Sequence, residues 1–307
     1  MPAQELNGIL NILKPPGMTS FDVVGYLRGL LRTKKIGHTG TLDPAAAGVL
    51  PVCMGQATKA IEYMMDKDKT YRAELTLGIV TDTQDQTGGI LGIREVHASP
   101  GMVVDVMNSF AGEYRQVPPM YSAVRVDGRK LYELAREGVT VERSPRDVKI
   151  YSIDVLRIGY DVTGRSVKKV LFDVRCSKGT YIRTLCADIG EKLGCGGHMS
   201  FLLRLGAGNF NISSSLTLGK VKEMAGNGKL QEMLIPVEKV FSGMNEVLLN
   251  SQEKKKFLNG GWIRLNQGKP TAADTLMVYD EDRVFLALGE TVTSHGDLML
   301  KSKKLFV

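Results

Sequence analysis

The amino-acid sequence predicts an α+β protein with two domains. Its 307 residues exceed the roughly 100–200 residues that one domain commonly holds. In the first two-thirds of the chain, some apolar residues alternate as in strands and others recur at helical spacing. After Ile235-Pro236, short strands between turns dominate. We therefore predict one domain over residues 1–235 and a second, β-rich domain over residues 236–307.

The composition excludes several classes of protein. Hydrophobic residues make up 43% and charged residues 24% of the chain, which is too apolar for a disordered protein. No stretch approaches the roughly 18 consecutive apolar residues of a membrane span, and residues 1–13 lack the basic start of a secretory signal. The four cysteines form no C-x-x-C pair. These features predict a cytoplasmic protein with reduced thiols and no cysteine-bound metal.

The charge is moderately positive and unevenly distributed. The formal net charge is +7, and residues 1–235 carry nearly all of the excess, whereas the remainder is almost balanced. Such an excess is compatible with a polyanionic partner, but many proteins that never bind nucleic acid share it. The charge alone leaves the partner open.

The first elements lie close to the N-terminus. The apolar run Gly8–Leu13 predicts a strand, which ends at the turn-forming sequence Lys14-Pro15-Pro16-Gly17. Thr19 or Ser20 offers an N-cap for a helix up to Arg32, because apolar residues recur there at helical spacing.

Further elements follow in order along the chain. A short helix is predicted over residues 58–65, and clear alternation marks a strand over Tyr71–Ile79. Serine at the N-cap and proline at the first helical position predict a helix that begins at Ser99-Pro100. Another short helix is predicted over Lys130–Glu137, within the charged segment Arg125–Arg146. Because this segment offers few core residues, we interpret it as an exposed insertion.

A strand, a polar turn and a helix then follow one another. Alternation predicts the strand over Val170–Cys176, Ser177–Thr180 forms the turn, and an amphipathic helix ends at Gly194. Catalytic groups are often presented at such junctions. In the second predicted domain, Asn250–Phe257 is the one helix that the pattern indicates.

The segment Gly37–Gly48 combines glycines with a constrained carboxylate. Its three glycines permit unusual backbone angles and the close approach of a ligand. Pro44 biases Asp43 toward an extended conformation, which can hold the carboxylate facing a pocket. The absence of a closing Gly-Lys-Ser/Thr excludes a phosphate-binding P-loop. Residue types alone favour the simpler interpretation, in which Asp43 is a turn residue and His38 lies on the surface.

Four motifs occur in the order found in one family. They are Lys14-Pro-Pro-Gly-Met-Thr-Ser20, Gly37-His-Thr-Gly-Thr-Leu-Asp-Pro44, Lys69-Thr-Tyr-Arg72 and Lys178-Gly-Thr-Tyr-Ile-Arg-Thr-Leu185. The sequence resembles the bacterial TruB-type tRNA pseudouridine synthases, which isomerise uridine 55 in the T-loop. The resemblance covers residues 7–305 and includes a C-terminal region similar to a PUA RNA-binding domain.

The resemblance implies a fold and a partner. The fold is that of pseudouridine synthases, in which helices flank a mixed, mostly antiparallel sheet, followed here by a small β-barrel-like PUA domain. The implied partner is the T-arm stem-loop of tRNA, and the implied enzyme is a monomer with no obligatory protein partner and no membrane contact. The sequence holds no metal, nucleotide or flavin motif, and an isomerisation needs no cofactor.

The resemblance also assigns the chemistry. The reaction breaks the N1–C1′ bond of uridine, rotates the base and forms a C5–C1′ bond. Asp43 matches the family's nucleophile, and Arg183 matches its charge partner, which lowers a carboxyl pKa by about 1–3 units. Direct attack at C1′ and removal of the 2′ proton to give a glycal both remain open. Without the resemblance, Arg183 would be interpreted as a helix-surface residue.

Two tyrosines match aromatic residues of the family's active site. A flipped uracil needs flat surfaces on which to stack, and Tyr71 and Tyr181 would provide them. The resemblance also implies proton handling by Tyr71. The alternative for both side chains is ordinary packing, since Tyr71 lies on the apolar face of its strand and Tyr181 at a helix start.

Three more residues match positions around the base. His38 matches the histidine that occupies the space left by the flipped base, with a solvent-exposed histidine as the alternative. Lys14 matches a residue that supports the pocket. Leu202 matches a residue that borders the base, although Leu203 stands where many relatives carry an arginine.

The insertion Arg125–Arg146 resembles the family's thumb, which closes over the T-arm. Its basic side chains would meet phosphates; they are Arg125, Arg129, Lys130, Arg136, Arg143 and Arg146. Glutamates lie among them, so a solvated helix is the alternative. The run Lys254–Lys256 in the second domain allows the same two interpretations.

Two other functions are compatible with parts of the sequence. A non-catalytic RNA-binding or tRNA-folding protein would keep the basic surface and make no demand on Asp43. A hydrolase could use Asp43 with a metal ion, but the sequence lacks a cluster of metal ligands.

Overall fold

The computed structural model describes residues 6–265 and 273–307. The predicted domains 1–235 and 236–307 therefore include residues 1–5 and 266–272, which lie outside the described part. Within the described part, a nine-stranded sheet comes first in the chain and a five-stranded sheet follows. Because helices are interspersed among these strands, the predicted α+β class is confirmed.

The strands of the first sheet and its two accessory hairpins are short to medium in length. In chain order they are β1 (Gly8–Lys14), β2 (Ile36–His38), β3 (Ala47–Met54), β4 (Lys69–Leu77), β5 (Ile79–Thr81), β6 (Ile90–Ile93), β7 (Gly112–Gln116), β8 (Arg125–Val126), β9 (Arg129–Lys130), β10 (Arg146–Tyr160), β11 (Val167–Cys176), β12 (Gly197–Ala207) and β13 (Phe210–Asn211).

The nine-stranded sheet is mixed and mostly antiparallel. Its main path runs β1-β3-β12-β4-β11-β10-β7, with β2 paired to β3 and β13 paired to β12. Strands β3 and β12 pair in parallel, whereas the other neighbours pair antiparallel. Strands β5 and β6 form one accessory hairpin, and β8 and β9 form the other.

Seven α-helices lie in the described part of the chain. They are α1 (Ser20–Leu31), α2 (Ile61–Met65), α3 (Pro100–Asn108), α4 (Leu131–Arg136), α5 (Ile182–Lys192), α6 (Leu218–Gly226) and α7 (Ser251–Leu258). Short 3-10 helices add to them at Gly55–Ala60, Ile212–Ser214, Leu230–Met233 and Val237–Phe241. No helix within residues 6–265 or 273–307 is long and apolar enough to cross a membrane.

Helices cover the sheet where apolar faces require it. Helices α3 and α5 pack on the buried face of β4, β10 and β11, around fully buried residues such as Phe172 and Leu185. Helix α1 packs on β1 and β3 through Val23 and Leu27. A capping box at Thr19 fixes the start of α1, since its hydroxyl accepts the backbone N–H of Asp22.

The second sheet contains β14 (Glu246–Leu249), β15 (Ile263–Arg264), β16 (Thr275–Asp280), β17 (Phe285–Ser294) and β18 (Asp297–Leu305). It curls into a half-barrel with the order β14-β16-β17-β18-β15. Phe241, Phe285 and Phe306 pack against one another and belong to a core cluster that also holds Ile9 and Val49 of the first sheet. One apolar cluster therefore joins the two sheets.

The pattern of apolar residues did not predict three of the longer strands. Strand β3 is buried on both faces, so its residues do not alternate, and it contains Pro51. Strand β10 changes register against β11 at several points and exposes much of its length. Strand β12 also shifts register against β4. Irregular or doubly buried strands lack the period of two on which the prediction relied.

The predicted exposed insertion Arg125–Arg146 needs two corrections. Leu131 and Leu134 of α4 are 0% and 8% exposed, so the segment buries two apolar side chains. Arg146 begins β10 and pairs with Gln116 of β7, so it belongs to the sheet. The prediction missed both features because charged residues dominate the segment.

Candidate active site

The loop between β2 and β3 brings Asp43 to the first turn of α5. Arg183 Nε lies 3.0 Å from Asp43 Oδ2, and its Nη2 lies 3.3 Å from Asp43 Oδ1. The Arg183 side chain is 7% exposed, whereas that of Asp43 is 34% exposed. The guanidinium is therefore buried behind a carboxylate that still reaches solvent.

Side chains from the N-terminal motif hold the backbone of this loop. The fully buried Lys14 donates from Nζ to the carbonyl oxygens of Pro15 and Pro44, at 2.9 and 3.2 Å. Ser20 Oγ accepts the N–H of Leu42 at 2.9 Å and donates to the carbonyl oxygen of the same residue. Lys14 and Ser20 thus hold Pro44 and Leu42, the two residues that flank Asp43, through their backbone.

The glycines of this region make room for protein atoms. A Cβ on Gly48 would lie 2.3 Å from the carbonyl oxygen of Arg204 in β12. A Cβ on Gly37 would lie 2.9 Å from the side chain of Ile61 in α2. The expectation that these two glycines admit a ligand is therefore wrong, because they admit a neighbouring strand and a neighbouring helix.

Burial dominates the electrostatics of Asp43. It raises the pKa of the Asp43 carboxyl above its ordinary value, the charge of Arg183 opposes the rise, and the charge of Asp85 adds to it. The charge of Arg183 lowers this pKa as expected, but desolvation outweighs the guanidinium, so the net shift is upward. Arg183, together with Lys14, limits the rise.

Asp85 is a second carboxylate beside Arg183. Its Oδ2 lies 3.7 Å from Arg183 Nη1. The other oxygen accepts hydrogen bonds from the hydroxyls of Thr83 and Thr87 and from the backbone N–H of Thr87. No local signal marks Asp85 in the sequence, because residues 81–89 have only the composition of a polar loop and the contact with α5 arises from the tertiary fold.

Arg183 also binds two backbone carbonyl groups. Nη1 donates to the oxygen of Thr83 at 3.3 Å, and Nη2 donates to that of Tyr121 at 2.9 Å. Tyr121 lies in the segment that leads into the thumb-like insertion. A single guanidinium therefore joins the Asp43 loop, the Asp85 loop and the start of the insertion.

Tyr71 lies on β4 next to two residues of β12. Leu202 and Arg204 share the face of β12 that Tyr71 occupies on β4. Tyr71 and Leu202 are 9% and 8% exposed. Arg204 is buried and donates to the carbonyl oxygens of Val49 and Gly40. Nothing in the local sequence marks Arg204 as a second residue that supports the loop.

Burial also raises the pKa of the Tyr71 hydroxyl. The charge of Arg204 opposes this rise, and the charge of Asp43 adds to it. The phenol therefore stays protonated at neutral pH and keeps its capacity to donate a hydrogen bond.

His38 and Tyr181 are only partly buried. His38 Nδ1 accepts the N–H of Gly40 at 3.3 Å, and its ring meets that of Phe21 edge-to-face, with centroids 5.4 Å apart. Burial lowers the pKa of His38, which favours the neutral imidazole. Tyr181 is the N-cap residue of α5, two positions before Arg183.

Two protein-family models match adjacent parts of the amino-acid sequence. The N-terminal domain of the TruB family of pseudouridylate synthases matches residues 28–182. The C-terminal domain of tRNA pseudouridylate synthase B matches residues 183–242. The chain belongs to the TruB family. It is therefore a pseudouridine synthase, which is an isomerase.

Relatives of this TruB-family protein match nearly end to end. It is 52% identical over 261 residues to tRNA pseudouridine synthase B of Alkaliphilus oremlandii, with 85% of this chain and 84% of that one covered. It is 47% identical over 304 residues to the enzyme of the same name from Clostridium kluyveri, with 98% and 100% covered.

Solved structures share the fold. One is an H/ACA RNP bound to a substrate RNA containing 2′-deoxyuridine, with a TM-score of 0.72 and 25% identity. Another is a Cbf5-Nop10-Gar1 complex, with a TM-score of 0.72 and 27% identity. Each match covers 98% of this chain and 85% of the other. The pseudouridine-synthase fold implied by the resemblance is therefore confirmed.

Several basic residues of this TruB-family protein already have partners. In the insertion, Arg129 pairs with Glu137, and Arg143 donates to the carbonyl oxygen of Pro118. In the second sheet domain, Lys254 pairs with Asp280 at 2.7 Å. These contacts favour a structural role for part of the predicted phosphate-binding set. Arg125 has an exposed side chain at the start of β8, opposite Lys130 of β9.

Proposed function

We propose that this chain isomerises uridine 55 in the T-loop of tRNA to pseudouridine, with Asp43 as the nucleophile. The observation that carries the proposal is the Asp43–Arg183 ion pair. It combines a carboxylate that reaches solvent with a guanidinium buried behind it. The charge of Arg183 favours the ionised form of Asp43 and opposes the rise in pKa that burial causes.

In the proposed reaction, an oxygen of Asp43 attacks C1′ while the N1–C1′ bond breaks and its electron pair leaves with the uracil. The base then rotates, and C5 attacks C1′ and expels the carboxylate. Loss of the C5 proton and protonation of N1 complete the isomerisation. In the glycal route, Asp43 instead takes the 2′ proton and later returns it. Neither route consumes a cofactor.

The aromatic residues fit a base removed from its stack. We infer that Tyr181, at the start of α5, stacks on the flipped uracil. We also infer that the Tyr71 hydroxyl donates a hydrogen bond near the sugar. Leu202 borders the base beside Tyr71, and the neutral His38 fills the space that the base leaves. Lys14 supports the loop through its contacts with backbone oxygens.

The remaining predictions concern the larger contact with RNA. We propose that the T-arm of tRNA binds between the thumb-like insertion and the loop of Asp43, and that the enzyme acts as a monomer. The domain over residues 236–307 would add a PUA-like RNA contact to the catalytic domain over residues 1–235. The net positive charge of the chain supports a polyanionic substrate.

The test uses unmodified tRNA transcript, the wild-type protein and two variants. Asp43→Asn keeps the shape of the side chain and removes its charge, whereas Asp105→Asn makes the same change on the exposed surface of α3. Pseudouridine is mapped by carbodiimide adduct formation and primer extension. We expect full modification at position 55 with wild type and Asp105→Asn, and none with Asp43→Asn.

Other outcomes separate the alternatives. Modification by Asp43→Asn at the wild-type rate contradicts a nucleophilic Asp43. Tight tRNA binding without modification by the wild type supports an RNA-binding protein. Activity that EDTA abolishes and zinc or manganese restores supports a metal-dependent enzyme.

A further inference from the structure

Gln116 is a buried amide that the proposed reaction does not use. It is the last residue of β7, directly before the segment that leads into the insertion. Only 1% of the residue is exposed. A buried amide needs hydrogen-bond partners for both its oxygen and its nitrogen, so its partners indicate what it holds in place.

Two hydrogen bonds of the Gln116 side chain join it to the backbone of Tyr181. Gln116 Oε1 accepts the N–H of Tyr181 at 2.7 Å, and Nε2 donates to the carbonyl oxygen of Tyr181 at 3.0 Å. The same carbonyl oxygen accepts the first hydrogen bond of α5, from the N–H of Leu185. The side chain thus pairs with Tyr181 as a neighbouring strand would.

This pairing determines where α5 begins. Tyr181 has an extended backbone and caps α5 without a side-chain hydrogen bond to the helix, so Gln116 supplies an anchor at this end. Arg183 follows two residues later and binds Tyr121, on the same segment that Gln116 begins. The strand end and the helix start are therefore held together at two points, the Tyr181 backbone and the Arg183 guanidinium.

A second contact supports the same arrangement. Tyr114, on the same face of β7 as Gln116, hydrogen-bonds through its hydroxyl to Asp188 in the middle of α5. Strand β7 thus contacts α5 at its start through one side chain and about two turns later through another.

We propose that Gln116 is a positioning residue that sets Tyr181 and Arg183 for catalysis by fixing the Tyr181 backbone. The inference rests on the proposed function. Reacting groups must be placed closely, and a displacement of about 1 Å can cost on the order of 100-fold in rate. Loss of the Gln116 contacts should therefore slow the chemical step more than it weakens tRNA binding.

The test compares three variants with the wild type. Gln116→Met keeps most of the buried volume and removes both hydrogen bonds, and Gln116→Ala removes volume as well. Asn11→Ala is the matched control, because Asn11 is also a buried amide with 1% exposure and bonds to Asn211 and Ser214 away from α5. Thermal unfolding, the Kd for tRNA and the single-turnover rate at saturating enzyme are measured for each.

We expect Gln116→Met to bind tRNA within about threefold of the wild type and to turn over at least about tenfold more slowly. Asn11→Ala should lower the unfolding temperature by a similar amount and keep its rate within about threefold. The inference is overturned if folded Gln116→Met keeps the wild-type rate, if its loss lies wholly in Kd, or if Asn11→Ala loses as much rate. A wild type that leaves uridine 55 unmodified would contradict the proposed function instead.

Discussion

Arg183 binds Asp43 through two nitrogen atoms, because its Nε and Nη2 each lie beside a different oxygen of the carboxylate. The remaining nitrogen is directed toward Asp85 and the carbonyl oxygen of Thr83. A planar guanidinium can serve all these acceptors at once, whereas an ammonium group cannot. The geometry of the pair, and not its charge alone, is therefore open to test.

Arg183→Lys is predicted to reduce the single-turnover rate about 100-fold, although the positive charge is kept. A lysine cannot donate side by side to both oxygens of Asp43, so the carboxylate loses its fixed orientation. The matched control is Arg94→Lys, since the Arg94–Glu191 ion pair is exposed on both sides. Single-turnover assays on tRNA transcript measure the rates of both variants. Equal rates would contradict a role for the two side-by-side hydrogen bonds from Arg183 to Asp43.

Asp43 must be ionised in either proposed route, so the rate should fall as the pH falls through its pKa. Burial raises that pKa, and the acid limb of the single-turnover rate should therefore lie above the ordinary aspartate value of about 3.9. A pH–rate profile of the wild type, bounded by the pH range in which circular dichroism shows the fold intact, measures it. An acid limb at or below about pH 3.9 would contradict a raised pKa of Asp43.

Asp85→Asn tests the same electrostatics from the opposite direction. The negative charge of Asp85 raises the pKa of Asp43, so its removal should move the acid limb to lower pH. The amide oxygen of asparagine can still accept the hydrogen bonds from Thr83 and Thr87. An acid limb that stays in place or moves upward in this variant would show that the carboxylates do not interact.

Local signals in the sequence were enough for elements with one clear period or cap. Helices α1 and α3 begin where Thr19 and Ser99 cap them, and β4 places Tyr71 on its buried face as the alternation predicted. The strand-turn-helix that ends in α5 was also predicted, because strand, turn and helix each carry their own pattern.

The supporting residues of the candidate site could not be predicted in this way. Arg204, Asp85 and Gln116 contact the site from strands and loops that are distant in sequence, and each is buried by tertiary packing. No local pattern distinguishes such a residue from a surface polar residue. Motif resemblance named the residues proposed for the reaction, whereas the fold was needed to find the residues that hold them.

The buried Lys14 should make the free energy of unfolding depend on pH. Burial lowers its pKa from 10.5 to about 8, so between these values the unfolded chain binds more protons than the folded chain. The free energy of unfolding should therefore rise with pH across this window, by up to about 3 kcal/mol from this group. Urea titrations of wild type and Lys14→Met give the difference, and a difference that does not change between pH 8 and 10.5 contradicts the burial of a charged Lys14.

If the thumb-like insertion contacts phosphates, its basic side chains should contribute to the salt dependence of tRNA binding. Each phosphate contact lowers log affinity by roughly 0.7–0.9 per log unit of salt, so Arg125→Gln should reduce the slope of log Kd against log salt by about that amount. Arg165→Gln is the matched control, since Arg165 is an exposed arginine in the turn between β10 and β11. Filter binding of tRNA at several salt concentrations measures the slopes. Equal slopes for Arg125→Gln and the wild type would remove Arg125 from the RNA contact and favour a solvated insertion.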